Sequence, residues 1–199
     1  LGFPEEREGV EERLEAVFSG RVTGYAFERS YLRKDGERVW GSVATSGLLK
    51  REGAPASILL VVQDITKRRS AEDALRRTQA NLEDAQRLAH IGSWDWDIAS
   101  GALTWSPEQF RIFGEDPSTY HPSYEGYLGH LAEVERGNTQ RAVQSALQAR
   151  GDYGVEHQIT RPDGTVRTVF EQGQVDFGSN HQPVRMFGTT QDITERKKL

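Results

Sequence analysis

The chain has 199 residues, of which 36% are hydrophobic, and a formal net charge of −5. This size allows one or two small domains, each with a modest core. The charges are of both signs, so no basic patch indicates nucleic-acid binding, and the absence of cysteine excludes disulfides, thiolate zinc sites, iron–sulfur clusters and thiol nucleophiles.

The first predicted elements are one helix and three strands. Apolar residues recur at helical spacing within residues 14–18. An extended run then leads to Asp35-Gly36, a dipeptide that favours a hairpin because glycine accepts a positive φ without strain. A second run follows, and a polar break at residues 50–53 separates it from a third run, Ile58 to Val62.

The next segment, residues 67–90, predicts a helix with an apolar seam. It has no glycine or proline and is rich in Arg, Glu, Ala and Leu. Steps of four and three residues connect its small and apolar members, which are Ala71, Leu75, Thr78, Leu82, Ala85 and Ala89. This heptad spacing favours a dimeric coiled coil. The alternative is a helix that lies on a neighbouring domain.

Two strands and a helix are predicted after this segment. Residues 92–98 alternate between apolar and polar types, which indicates a half-buried strand. A turn at Ser100-Gly101 leads to a short partner strand at residues 102–105. Ser106-Pro107 then begins a helix, because serine is a good N-cap, proline suits the first helical position, and Gln109 stands where a capping box needs it.

The last predicted elements repeat the first ones. A helix is indicated by Val143, Ala146 and Leu147, and strands such as Val166 to Val175 and Val184 to Thr190 follow it. Residues 25–69 align without a gap with residues 153–197, at a constant offset of 128 positions. Identities that stay in register over such a length indicate two copies of one structural unit.

The residues of both copies, taken in chain order, resemble the PAS family. The C-terminal part of a PAS domain is often called the PAC motif. Ile91–Asp97 resembles the first strand of one PAS subgroup, and Trp105–Gly114 resembles its first helix. Arg161–Gly164 resembles its hairpin, and Gln191–Lys197 its exit into a signalling helix. In the first copy, residues 3–7 resemble a segment that precedes the long helix. The resemblance covers nearly the whole chain.

The resemblance implies an α+β fold with a five-stranded antiparallel sheet and helices on one face. Residues 1–66 are then the C-terminal half of a PAS domain, with one helix and three strands, and residues 67–90 a helical linker. Residues 91–194 form a complete PAS domain, and residues 195–199 begin the exit helix. The first domain lacks its N-terminal half, so we expect its sheet to be partly uncovered and to pack on a partner.

The same resemblance implies a sensory and dimerisation module without catalytic residues. Such modules pass a change to an output domain through the helix that follows Asp-Ile-Thr, which occurs here at residues 64–66 and 192–194. We expect this output domain to be a sensor histidine kinase of a two-component system. The alternatives are a ligand-free interaction scaffold and the sensor part of a diguanylate cyclase or phosphodiesterase. We expect a homodimer that forms through the linker helix and the PAS surfaces.

Six residues are expected to relay the signal, and they are Asp64, Thr66, Leu75, Leu82, Asp192 and Thr194. The resemblance makes each aspartate a joint between the last strand and the exit helix. Each threonine is expected to N-cap that helix, a contribution of about 1 kcal/mol. The two leucines belong to the seam of the linker.

Strand alternation and the family pattern turn a further set of residues inward, where a cavity is possible. This predicted lining comprises Trp94, Trp96, Phe110, Phe113, His157, Ile159, Met186 and Thr190. The other interpretation is a filled core, which is the commoner role of such residues. We expect no cofactor.

Two cofactors stay open as alternatives. Light-sensing flavin chemistry of the covalent kind is excluded because it needs a cysteine. The flavin-contacting amides of the family correspond to Ile159 and Thr190, which cannot make the same contacts, so only FAD held by other contacts remains. Haem is the second alternative, with His121, His130 or His157 as its ligand. No His and carboxylate cluster has the spacing of a metal site.

The expected setting follows from composition. A chain without cysteine fits a reducing compartment, and we expect a cytoplasmic location. No apolar run approaches the roughly 20 residues that cross a bilayer, so we expect no membrane insertion. The chain begins with Leu1 rather than Met, and we expect it to be a fragment of a longer protein.

Overall fold

The computed structural model describes residues 15–17, 19, 21–48, 57–149 and 152–198. The chain divides into two compact units, Leu1–Thr78 and Gln79–Leu199. Among the described helices, none is long and apolar enough to cross a membrane.

The first unit contains a three-stranded antiparallel sheet. Its strands are β1 (Gly24–Leu32), β2 (Arg38–Leu48) and β3 (Ser57–Asp64), in the order β1-β2-β3. The predicted hairpin is confirmed, since Gly36 has a φ of 87° in the turn between β1 and β2. Residues 15–17 are helical.

Several predicted features of this unit fall outside the described residues. They are the first and last residues of the predicted helix, the polar break and the family-like N-terminal segment, which are residues 14, 18, 50–53 and 3–7.

Strand β3 presents a long apolar surface. Within the described residues it pairs with β2 along one edge only. Its residues Leu59 to Val62 are each more than half exposed, at 52–57% of their surface. Four consecutive exposed apolar residues on an edge strand are a surface that folded proteins normally cover.

The segment between the repeats is a single helix, α1 (Thr66–Ala89). Its start and end match the predicted helix to within one residue. None of its residues is buried, and the seam residues Leu75 and Leu82 are exposed by 69% and 59%.

The second unit is built on a five-stranded antiparallel sheet of order β5-β4-β8-β7-β6. Its strands are β4 (Ile91–Asp97), β5 (Leu103–Trp105), β6 (Tyr153–Thr160), β7 (Val166–Phe177) and β8 (Pro183–Asp192). Its helices are α2 (Pro107–Phe113), α3 (Tyr124–Gly129), α4 (Glu133–Ala149) and α5 (Thr194–Lys197). The predicted α+β fold with a five-stranded antiparallel sheet is therefore confirmed.

Two packed clusters lie between this sheet and its helices. One joins Phe113 of α2 and Leu128 of α3 to Ile159 of the sheet. The other joins Trp94 and Met186 of the sheet to the helix α4. The alternation of the strands turns these side chains to one face, which is the face that carries the candidate site.

The start of α2 differs from the prediction in one respect. Ser106 is the N-cap, and its hydroxyl accepts hydrogen bonds from the N–H groups of Gln109 and Ser93. The prediction of a capping box is wrong in its second half, because the Gln109 side chain does not accept a hydrogen bond from the Ser106 N–H. The Ser106 N–H already donates to the carbonyl of Ser93 at 2.9 Å. The free side chain of Gln109 is buried instead and donates to the Thr190 hydroxyl at 2.9 Å.

Candidate functional site

The first candidate site is the joint between β8 and α5. Asp192 ends β8, and its carboxylate accepts a hydrogen bond from the N–H of Thr194 at 2.9 Å. The Thr194 hydroxyl accepts a bond from the N–H of Thr168 in β7 at 2.9 Å. The Ile193 N–H donates to the carbonyl of the same Thr168, also at 2.9 Å. The beginning of α5 is therefore fastened to the neighbouring strand.

The first unit has the same joint between β3 and α1. Asp64 accepts a bond from the N–H of Thr66 at 2.9 Å. The Thr66 hydroxyl accepts from the N–H of Trp40 in β2 at 2.8 Å, and the Ile65 N–H donates to the Trp40 carbonyl at 2.8 Å. Each atom of this joint has its counterpart 128 positions later, so the repeat preserves a set of contacts as well as a sequence.

The predicted N-cap role of Thr66 and Thr194 is wrong. Both threonines are the first helical residues, and the N-cap of α5 is Ile193, which makes no side-chain cap bond. Each hydroxyl is taken by the adjacent strand, as described above. The preceding aspartate accepts a hydrogen bond from the threonine's own N–H, which forms an Asx turn.

An ion pair adds to each joint. The carboxylate of Glu28 in β1 lies 2.6 Å from the guanidinium of Arg68 and 2.9 Å from that of Arg69, both in α1. Its counterpart Glu156 of β6 lies 2.8 Å from Lys197 of α5. The hydrogen bond from Arg68 is the main cause that lowers the pKa of Glu28. Hydrogen bonds from Thr66 likewise lower the pKa of Asp64.

The second candidate site is a buried carboxylate on the inner face of the second unit. Glu171 of β7 is 2% exposed. Its carboxylate accepts hydrogen bonds from the hydroxyls of Tyr127, Thr190 and Tyr153, at 2.6, 2.9 and 3.3 Å. Thr190 stands directly opposite Glu171 in the β7–β8 register. Burial raises the pKa of Glu171 to about 6, against the lowering effect of these bonds.

His157 completes this polar cluster. Its Nε2 lies 3.5 Å from the Tyr127 hydroxyl and 4.0 Å from the Glu171 carboxylate. Burial lowers the pKa of His157 to about 4. At neutral pH the carboxylate is therefore charged and the imidazole neutral, and His157 is the one basic group that the described residues bring within 4.0 Å of Glu171.

A cavity of about 40 Å³ lies beside Glu171. Six aromatic side chains form most of its wall, and they are Trp94, Trp96, Trp105, Tyr124, Tyr127 and Tyr153. The rings of Trp96 and Tyr124 stack with centroids 4.9 Å apart. Three polar atoms of the lining residues are buried without a hydrogen-bond partner among the described residues, and they are Gln109 Oε1 and the indole nitrogens of Trp94 and Trp96.

The structure distributes the eight predicted lining residues over four places. Trp94, Trp96 and Met186 line the cavity. His157 and Thr190 belong to the polar cluster around Glu171, as given above. Phe113 and Ile159 are buried in the neighbouring apolar cluster. Phe110 is half-buried against Trp105, with ring centroids 5.4 Å apart.

Glu171, Tyr127 and Tyr153 were not among the predicted site residues. A signal for Glu171 exists in the sequence, because it alternates with Val169 and Val175 on the inward positions of β7. An acidic residue at a core position of a strand is buried only with partners. Those partners come from α3 and β6, which local patterns do not connect to β7.

The cavity bears on the cofactor alternatives through its size. Pockets for drug-sized ligands have roughly 300–1,000 Å³, so haem or FAD would enter only if wall side chains moved. Two of the candidate haem ligands lie elsewhere. Nδ1 of His130 is 3.1 Å from the carbonyl oxygen of Thr160, and His121 is exposed. Over the described ranges, no three His, Cys, Asp or Glu side chains are grouped in a way that would hold a metal ion.

Comparisons with known proteins agree with this fold. Residues 102–190 match the family model described as PAS fold. The probable diguanylate cyclase DgcE of Escherichia coli is 23% identical over 82% of the chain, and the sensor histidine kinase TmoS of Ectopseudomonas mendocina is 27% identical over 74% of it. The chain spans only 15% and 16% of the length of these two relatives.

Solved structures give the same result. A sensory box histidine kinase/response regulator from Burkholderia thailandensis has 27% identity and a TM-score of 0.52, covering 59% of this chain and 87% of that one. The N-terminal domain of a diguanylate cyclase with a PAS/PAC sensor from Marinobacter aquaeolei has 12% identity and a TM-score of 0.50, covering 54% and 98%. This second likeness is one of fold alone.

Proposed function

Because residues 102–190 belong to the PAS family, we propose that the chain is a sensory and dimerisation module that relays a signal through α1 and α5 to an output domain. In this proposal residues 1–66 are the C-terminal half of a first PAS domain and residues 67–90 the linker. Residues 91–194 are the complete sensor, and residues 195–199 begin the exit helix.

The repeated joint is the observation that carries this proposal. The same aspartate, threonine and strand contacts occur at Asp64 and at Asp192, each time where a strand ends and a helix begins. Two such joints support a relay that works twice along one chain.

A direct route connects the cavity to the second joint. Thr190 bonds both Glu171 and Gln109 at the cavity, and Asp192 follows two residues later in the same strand. Two residues of strand measure about 7 Å. A change in the bonds of Thr190 therefore reaches Asp192 through one short stretch of backbone, and Asp192 holds the start of α5.

The dimer is proposed to form through the exposed seam of α1. Leu75 and Leu82 are two of the most exposed large apolar residues of the described chain. Their heptad spacing suits a parallel pair of helices, and two copies would cover the seam. The exposed strand β3 is a second apolar surface that a neighbouring chain or segment would cover.

The output domain is proposed to be a histidine kinase, with a diguanylate cyclase as the second candidate, since relatives of both kinds match most of the chain. Both outputs use a nucleoside triphosphate, which supports a cytoplasmic location. The protein that contains this chain is to be assayed for autophosphorylation with ATP and for synthesis of cyclic di-GMP from GTP. The product that forms distinguishes the two.

The small cavity favours one further candidate, a scaffold that dimerises without binding a ligand. Native mass spectrometry of the purified chain and its visible spectrum separate this candidate from a ligand-holding sensor. A retained small molecule, or absorption near 400–450 nm from haem or flavin, would count against the scaffold.

The relay itself is tested in a fusion. The chain is joined through α5, in continuous helix, to the dimerisation and catalytic region of a histidine kinase. We expect Asp192→Ala to change the phosphorylation rate several-fold while circular dichroism shows an unchanged fold. Asp163→Ala is the control, because Asp163 makes the same kind of bond to a threonine, Thr165, but in an exposed hairpin turn. Equal rates in all three proteins would disprove the relay.

A further inference from the structure

We propose that the aromatic cavity of the second unit binds a small alkylammonium ion, with Glu171 as its counter-charge. The proposal names the ligand class of the sensory site and in that respect rests on the proposed function. Binding itself is measured independently of any output domain.

The charge of Glu171 is the first argument. The carboxylate is 2% exposed and borders the cavity. Its hydrogen bonds come from neutral hydroxyl groups, and no lysine or arginine is among the cavity-lining residues. A buried charge without a counter-ion is costly even when it is hydrogen-bonded. A cation in the cavity would supply the missing charge.

The aromatic wall is the second argument. The face of an aromatic ring carries negative potential, and cations bind to such faces, with tryptophan as the strongest partner. Six rings surround the cavity, three of them indoles. A ring face turned to the cavity has a potential of the same sign as the Glu171 carboxylate, so it repels anions and attracts cations. Rings grouped around alkylated ammonium ions are the general form of such sites.

A hydrogen bond to Glu171 is the third argument. The carboxylate borders the cavity and accepts hydrogen bonds from three hydroxyl groups, while an ionised carboxylate has about four acceptor sites. An ammonium ion that keeps at least one N–H would donate to this carboxylate. A fully substituted ammonium could not.

The size of the cavity limits the ligand. A water-sized occupant needs roughly 10–15 Å³, so about 40 Å³ admits three or four non-hydrogen atoms. Dimethylammonium and trimethylammonium ions, with three and four non-hydrogen atoms, have this size.

The experiment is a titration of the chain with trimethylammonium chloride at pH 7.5 and constant ionic strength. Binding is monitored by tryptophan fluorescence and by calorimetry. We expect saturable binding. Tert-butanol, a neutral molecule of the same shape, is expected not to bind, because it lacks the charge. Tetramethylammonium is expected to bind several-fold more weakly than trimethylammonium because it has no N–H to donate to Glu171.

Variants give the decisive comparison. Glu171→Gln is expected to weaken binding at least tenfold, whereas Glu133→Gln, an exposed carboxylate on α4, is expected to keep it. If Glu171→Gln fails to fold, Trp96→Leu provides the second test, since Trp96 is only half-buried and its loss removes a ring face from the wall. Binding of tert-butanol equal to that of the ion, or no saturable binding at all, would overturn the proposal.

The two proposals fail in different experiments. Absent binding leaves the effect of Asp192→Ala on the kinase fusion unchanged, because that test needs no ligand. Intact binding with no effect of Asp192→Ala would refute the relay and keep the ligand site.

Discussion

The hydroxyl of Thr194 accepts a hydrogen bond from the backbone N–H of Thr168 at 2.9 Å. The first residue of the exit helix is thereby attached to a strand that precedes it by 26 positions. Thr66 makes the same bond to the N–H of Trp40 at 2.8 Å. Removal of a threonine hydroxyl at this place would leave the strand N–H without its acceptor, while the backbone bond from Ile193 to Thr168 would remain.

Thr194→Val is expected to lower the free energy of unfolding of the second unit by about 1–2 kcal/mol. Valine keeps the shape but leaves the Thr168 N–H without its acceptor. The measurement is urea unfolding in a Trp40→Phe background, in which the remaining tryptophans all lie in the second unit. Thr160→Val, at an exposed position of β6, is the control. An equal loss in both variants would contradict a specific role of the joint.

Glu171→Gln is expected to change how stability depends on pH. The folded protein raises the pKa of this carboxyl from 4.5 to about 6, so it binds the proton more tightly than the unfolded chain does. The contribution of Glu171 is therefore most favourable below pH 4.5 and is lost as pH rises through about 6. The free energy of unfolding of the wild type, minus that of the variant, should fall by about 2 kcal/mol from pH 4.5 to pH 7.

His157→Gln is expected to show the opposite sign. Burial lowers the pKa of His157 from 6.5 to about 4, so the unfolded chain binds the proton more tightly. The contribution of His157 is complete above pH 6.5 and is lost as pH falls through about 4, a difference of about 3 kcal/mol. The same urea series measures it. Parallel pH curves for wild type and variant would show that His157 is not buried as described.

Leu82→Glu is expected to weaken the proposed dimer, because it places a charge in the apolar seam of α1. The mass of the chain, measured by light scattering across a concentration series, should shift towards the monomer. Ala80→Glu introduces the same charge five residues after Leu75, on the opposite side of the helix, and should leave the mass unchanged. An unchanged mass for Leu82→Glu would refute the seam.

Gly92→Ala is expected to destabilise the second unit by about 1–3 kcal/mol through overpacking. A Cβ at this position would lie 2.7 Å from the Cα of Gln109 and 2.8 Å from its backbone nitrogen. These backbone atoms move only if α2 moves. Gly154→Ala is the control, since no atom lies within 4 Å of the added carbon there. Equal stability of the two variants would contradict the close approach of α2 to β4.

Much of the fold was predictable because its signals are local. Asp35-Gly36 and its counterpart in the repeat predict hairpins through the backbone freedom of glycine. Ser106-Pro107 predicts a helix start, and the alternation of residues 92–98 predicts a strand. Each signal spans fewer than about ten residues and depends on no distant partner, so the repeat and the order of elements follow from the sequence.

The contacts of the candidate site were not predictable in this way. Gln109 matches a capping box, yet its side chain bonds Thr190, 81 positions away. Glu171 bonds Tyr127, 44 positions away. Such pairs form only when α2, α3 and β8 pack against β7, and packing chooses partners by shape and by the need to satisfy buried polar groups.

The sequence by itself determined that two copies of one unit follow each other and that each ends in a strand-to-helix joint at Asp-Ile-Thr. The tertiary structure alone decided what that joint does. The threonine hydroxyl accepts from a strand N–H rather than from the helix, because the threonine is the first helical residue and not the N-cap. It also decided that the carboxylate of Glu171 is buried and lies beside aromatic rings, since burial depends on elements that the chain brings together only when it folds.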